Sequence, residues 1–358
     1  MGATSQTVQY TNAVALSLDK LHKKIADAIS KGNKQLFFMR QKGHFEGIEA
    51  GGPQLRIPIR YALKKAKPLG AYGTVNLNPT NTVTSAYYQW GQGAADISFS
   101  DMEDFQQAGP MSIEKAVKTK RDDAEASLND LISRAMILGQ ADIDTVSFTT
   151  ALKGDDDATL CDPIGKLIAF DPTASLTVGG IDQSTNAWWQ NRFKDSAATT
   201  RKGWLEELDE LHAETGFGIG GSPDAHFTDP KTFVLYRLAL ADYYRNPDYK
   251  RGDIPFDNLA FHSAPLIPEE LMYDIKNGST TVTDGTWFMC NFEFLGFTFD
   301  KGGPDRTGSF RVDAVIRPAN QLLRSSLMPI RGAFWSSNRK KQGVMGDIDI
   351  TTLKSAAS

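Results

Sequence analysis

Between Pro110 and Gly139 the apolar residues Ile113, Ala116, Val117, Ala124, Leu128, Leu131, Ile132, Ala135 and Leu138 return at helical spacing. Lys115, Lys118, Arg121, Asp122, Glu125, Asn129 and Arg134 fill the opposite face. The pattern predicts one helix over 110–139. Pro110 and Ser112 open it, with Ser112 placed to accept from a free backbone amide and Glu114 favouring the positive helix end; Gly139 closes it. At about 1.5 Å per residue it spans roughly 40 Å, a strut longer than the usual three or four turns.

Asn12 to Ser30 carries a second, narrower helical stripe of Ala13, Leu16, Leu18, Leu21, Ile25, Ala28 and Ile29. Gln54 to Tyr61 alternates with period two and predicts a strand, and Pro58 makes it an edge or free-hairpin strand, since proline cannot donate to a ladder. A polar, glycine-bearing excursion from Lys64 to Thr84 precedes two more strands, Ala86–Trp90 and Ala95–Phe99. A hairpin this long has little core of its own, so it must lean on something else, and within a monomer nothing obvious is available.

Beyond the strut, residues 145–191 are turn-rich and end in Trp188 and Trp189 behind a glycine turn. Helices then alternate with strands: a helix over 200–213, a strand over 223–228, and a helix over 231–244 started by Asp229 and Pro230. A strand pair follows within 256–267, then turns at Asn277-Gly278 and Asp284-Gly285. Buried strands are expected at 286–290 and 292–299, a last strand at 328–335, and a polar, frayed end.

The 358 residues exceed one ordinary core, and no apolar run approaches the roughly 20 residues that span a bilayer. Two cysteines, Cys161 and Cys290, are too few for a disulfide framework or a thiolate metal site. A formal charge of −4 with no long basic run argues against tight phosphate tracking.

Sites of chemistry are sparse. Gly216, Gly218 and Gly221 have dinucleotide-fingerprint spacing, but a charged helix precedes them and a strand follows, so they read as a flexible connector. Gly154-Asp155-Asp156-Asp157 lacks the alternating carboxylates and distal glutamate of a calcium loop. His22, His44, His212, His226 and His262 form no metal-binding spacing; His226, beside Asp224 and Asp229 in sequence, is the first candidate for an enzyme assembled from distant residues.

The parts stand in a telling order: an amphipathic arm, a hairpin opened by GGPQLRIPIRY (51–61), strands ending in Trp90 and Phe99, and a strut ending ISRAMILG. GGIDQSTNAWWQNR (179–192), an α/β module and RGAFWSSNRKKQGVM (331–345) complete it. The chain resembles the major capsid proteins of tailed bacteriophages, with the Hong Kong ninety-seven capsid fold that encapsulin shells share. The resemblance implies an α+β fold with an N-terminal arm (1–33), an extended hairpin and its base (34–90), and a peripheral domain (91–196) carrying the spine helix 111–139. An axial domain (197–316), a return to the peripheral domain (317–350) and a flexible tail (351–358) follow.

It further implies a non-enzymatic, cofactor-free virion subunit, assembled in the host cytoplasm through pentamers and hexamers into an icosahedral shell around double-stranded DNA. A portal protein, a separate scaffolding protein and a decoration protein are the other partners. The inter-subunit contacts expected are Arg60, Lys64, Lys65, Lys67 and Tyr72 on the hairpin; Asp101, Glu103 and Asp104 as carboxylates for the lysines; Leu16, Leu21 and Ile25 on the arm; and Trp188 and Trp189. The alternatives are an encapsulin-like compartment and, from another class, a soluble α/β hydrolase or carbohydrate-binding protein using the tryptophans and histidines.

Overall fold

A computed structural model describes residues 34–48, 52–64, 66–74, 81–102, 110–138, 161–218, 220–243, 259–269, 271–272, 276–277, 280–281, 285–300, 306–307, 310–317 and 322–355. In chain order its main elements are α1 (Lys34–Lys42), β1 (Phe45–Ile48), β2 (Leu55–Arg60), β3 (Val83–Tyr88), β4 (Gly91–Ser100) and α2 (Pro110–Leu138). Then come β5 (Arg192–Asp195), α3 (Arg201–Gly216), β6 (Ala225–Thr228), α4 (Pro230–Tyr243), β7 (Leu259–Phe261) and β8 (Ala264–Pro268). The chain closes with β9 (Gly285–Cys290), β10 (Leu295–Asp300), β11 (Leu323–Ser336), β12 (Gly343–Ile348) and α5 (Ile350–Ser355).

Two sheets and one free ribbon organise these elements. The four-stranded sheet runs β1-β10-β11-β4, and β11 pairs β4 antiparallel from Leu323↔Ser100 to Gly332↔Gly91. Pro329 lies beyond the β10–β11 pairing, which ends at Gly332, so β10 does not need the donor it lacks. The Phe297 ring lies where a Cβ on Gly332 would stand, 2.3 Å away, so only glycine fits that crossing. The six-stranded sheet runs β5-β12-β9-β6-β8-β7.

The strut is present as α2. Ala124, Leu128, Ile132 and Ala135 are buried on one stripe, joined in the last turns by Ser133, Met136 and Ile137. Lys120 fastens the helix to β4, donating to the Ser98 carbonyl at 2.8 Å with its ammonium 4.5 Å from the Phe99 ring centroid. The helix begins at Pro110, which puts Ser112 within the first turn rather than ahead of it. Thr200 caps α3 by accepting from Gly203, and Asp229 caps α4 by accepting from Lys231 and Thr232.

The six-stranded sheet separates two cores, which explains why β9 is buried at every residue but Thr286. Phe288 and Cys290 join the core shared with α2 and the four-stranded sheet, while Trp287 and Met289 join the core under α3 and α4. Sheet membership crosses the expected domain boundaries: β10 belongs to the four-stranded sheet, whereas β5 and β12 belong to the six-stranded one. Long-range pairing decides this, and local spacing carries no trace of it.

Three further expectations change. The segment 343–355 is not frayed, because β12 is an inner strand of the six-stranded sheet and Leu353 of α5 is fully buried, with Arg201 donating to the Leu353 and Lys354 carbonyls. Gly285 opens β9 instead of forming a turn. The segment holding Gly216, Gly218 and Gly221 wraps a buried cation: the Lys341 ammonium donates to all three carbonyls at 3.2–3.4 Å. Two residues earlier, the fully buried Arg339 guanidinium donates to the Leu167, Lys166 and Trp189 carbonyls and to Asn191 Oδ1. The turn between β11 and β12 is therefore the joint of the two sheets.

Candidate assembly interface

The ribbon β2/β3 divides its residues by period two. Leu55, Ile57 and Ile59 face inward with Ala86 and Tyr88, and of these Ile59, Ala86 and Tyr88 are buried. Arg56, Pro58 and Arg60 face outward opposite Tyr87, Ser85 and Val83, and the Arg56 guanidinium lies 5.3 Å from the Tyr87 ring centroid. The root of the ribbon is fixed to its own subunit. Tyr88 Oη donates to the Ser336 carbonyl at 2.7 Å, the Tyr87 amide donates to the Gly179 carbonyl at 2.9 Å, and Tyr61 packs on Trp188 at 5.2 Å between centroids. Burial pushes the Tyr88 phenol well above its ordinary pKa, so it stays protonated and keeps donating.

This corrects the expectation that the hairpin finds no support within one molecule. Its strands do, on one face. Its tip does not: from Leu63 to Thr74 every described residue is exposed, with Leu63 at 79% and Tyr72 at 100%. Lys64 and Lys67 stand beside them, also exposed. Lys65, Glu103, Asp104, Leu16, Leu21 and Ile25 lie outside the described residues.

Other expected contacts are rearranged. Asp101 is engaged within its own chain by Arg317 and, at 3.8 Å, by Arg324, so it is no free acceptor for hairpin lysines. Trp189 is only 1% exposed and donates from Nε1 to the Val178 carbonyl, which withdraws it from any neighbour. Its partner Trp188 is half-buried against the hairpin. Asp122 and Asp123, by contrast, are exposed neighbours in sequence on α2.

The catalytic alternative loses its first candidate. His226 is buried, with Nδ1 accepting from Trp287 Nε1 at 3.3 Å, and burial followed by the neighbouring His212 and His262 pushes its pKa down to about 3. Asp229 is occupied by the amides of Lys231, Thr232 and Thr286, and Asp224 pairs with Lys42 at 3.6 Å. Cys161 and Cys290 are buried thiols whose pKa values burial raises, which suppresses the thiolate. Among the described residues no three metal-ligating side chains gather, and no helix is long and apolar enough to cross a membrane.

The sequence matches no family model and no curated protein. Solved structures do match it, over nearly its whole length. The encapsulin of the holo-SrpI complex from Synechococcus elongatus PCC 7942 aligns with a TM-score of 0.59 at 10% identity, covering 96% of this chain and 98% of that one. The Cyanophage A-1(L) capsid chain aligns at 0.60 and 12% identity, covering 92% and 96%. The capsid of an empty GTA particle aligns at 0.55 and 12%, covering 92% and 95%.

The chain has the Hong Kong ninety-seven-like capsid fold. At these identities the likeness is one of fold. Within this fold the long helix and the hairpin are parts expected from the sequence, whereas the anchoring of the hairpin root and the joining of the two sheets are seen only in the packed chain.

Proposed function

We propose that this chain is a shell subunit, the major capsid protein of a tailed bacteriophage, which assembles through pentamers and hexamers into an icosahedral shell around packaged double-stranded DNA. The observation that carries the reading is the likeness to the cyanophage capsid chain across 92% of this chain and 96% of that one. The role is structural and uses no cofactor.

The hairpin tip supplies the clasp. Leu63, Tyr72, Arg60, Lys64, Lys65 and Lys67 of one copy lie over the spine helix of another, where Asp122 and Asp123 offer carboxylates in place of Asp101. Covering one aromatic ring is worth about 2 kcal/mol, and repetition around a closed shell multiplies it. Exposed ion pairs set register more than strength. The arm residues Leu16, Leu21 and Ile25 add a second clasp, and portal, scaffolding and decoration proteins complete the virion.

The encapsulin match, at 96% of this chain, favours a second reading, a compartment that holds a protein cargo. Particles purified from the native source decide between them. Nuclease-protected DNA supports the capsid, a co-purifying enzyme supports the compartment, and a stable monomer under all conditions contradicts both.

A further inference from the structure

The turn between β7 and β8 has two residues, His262 and Ser263, at φ 46° and 70°. Tight hairpins require such angles, but they are ordinarily supplied by Asn-Gly or Gly-Gly, and bulky residues persist there only where the surroundings hold them. Here the surroundings are on α3. The His262 ring stacks on His212 with centroids 4.4 Å apart and planes 12° from parallel, and its Nε2 lies 2.8 Å from Asp209 Oδ1. Asp209 and His212, three residues apart, are neighbours on one helix face.

From this geometry we infer that His262, His212 and Asp209 form an acid-sensitive latch fastening the β7–β8 hairpin to α3. The groups facing the stack are few. From α3 there is Asp209; from β6 there is His226, its ring 5.9 Å from His212; the adjoining Phe261, Trp287 and Tyr236 rings bear no charge. Glu210 and Glu214 on the same helix are already taken by Lys194 and Arg192.

The sign follows from these neighbours. The two rings stack nearly parallel, and the bond to Asp209 fixes His262. The Nε2 atom of His212 is buried without a hydrogen-bond partner, so a proton placed there finds no acceptor. A proton forced onto His212 therefore sets an uncompensated charge against the facing ring, 4.4 Å away between centroids. Burial, and then His262, lowers the His212 pKa, with Asp209 opposing. His212 therefore resists protonation, and the stack separates once acid forces a proton onto it.

Hydrogen exchange of the full chain tests this, with rates corrected for intrinsic exchange at about pH 7.5 and about pH 4.5. Amides of 259–268 are expected to lose roughly tenfold or more of their protection in acid while those of 287–290 in the same sheet keep theirs. His212→Phe, which stacks without titrating, keeps the hairpin protected at the lower pH. Asp209→Asn loosens it already at the higher one. Equal loss across both peptides, an unchanged acid response in His212→Phe, or an Asp209→Asn variant indistinguishable from the parent at neutral pH overturns the latch.

Discussion

The Tyr88 hydroxyl and the Ser336 backbone exchange two hydrogen bonds, Oη donating to the carbonyl at 2.7 Å and accepting from the amide at 3.2 Å. One side chain thus closes the end of β11 and fixes the hairpin root to it. Tyr88→Phe keeps the ring and strands both backbone groups in a buried site, so a loss of about 1–3 kcal/mol is expected in chemical denaturation. A loss below a few tenths would mean that the root is held elsewhere.

Arg339 makes a larger claim. Its guanidinium is buried with carbonyl and amide oxygens as acceptors, and burial pushes its pKa down to about 10, still far above neutral. Arg339→Ala opens a cavity and orphans those acceptors at the joint of the two sheets, and roughly 3–5 kcal/mol should go. Arg339→Lys, a point charge without the planar fork, should recover only part of it, measured by the same denaturation.

Buried His226 gives stability a pH dependence of known sign. Its folded pKa, about 3, lies below the ordinary imidazole value of about 6.5, so below 6.5 the unfolded chain binds a proton that the native one refuses. The contribution is complete above pH 6.5 and is lost as pH falls toward 3, on the order of 5 kcal/mol in all. His226→Gln, which keeps an acceptor for Trp287 Nε1, should flatten that part of the stability profile; an unchanged slope would assign the acid sensitivity to other groups.

The spine helix, the ribbon with its edge proline, the cap at Asp229 and the buried strands around 286–299 were legible because each follows from residues close in sequence. The rest depends on distant partners. Nothing local says that β12 lies inside the six-stranded sheet, that β10 belongs to the other sheet, or that glycines at 216–221 close around Lys341. For the interface the split is the same. The cationic, aromatic hairpin could be read directly, whereas the sequestration of Asp101 by Arg317 and Arg324 and of Trp189 by its own core required the packed chain.

The tip should matter for assembly and not for folding. Tyr72→Asp combined with Lys64→Glu and Lys67→Glu alters only exposed positions, so the denaturation midpoint should stay within a few tenths of a kcal/mol of the parent. Particle yield should fall sharply. A triple variant that assembles as the parent does would remove the hairpin tip from the interface.

Electron microscopy of the purified full-length chain, with its mass in solution measured by light scattering, tests the shell itself. Closed particles or rings of five or six copies are predicted; a monodisperse species of 39.3 kDa at every concentration and salt condition tried would contradict the account.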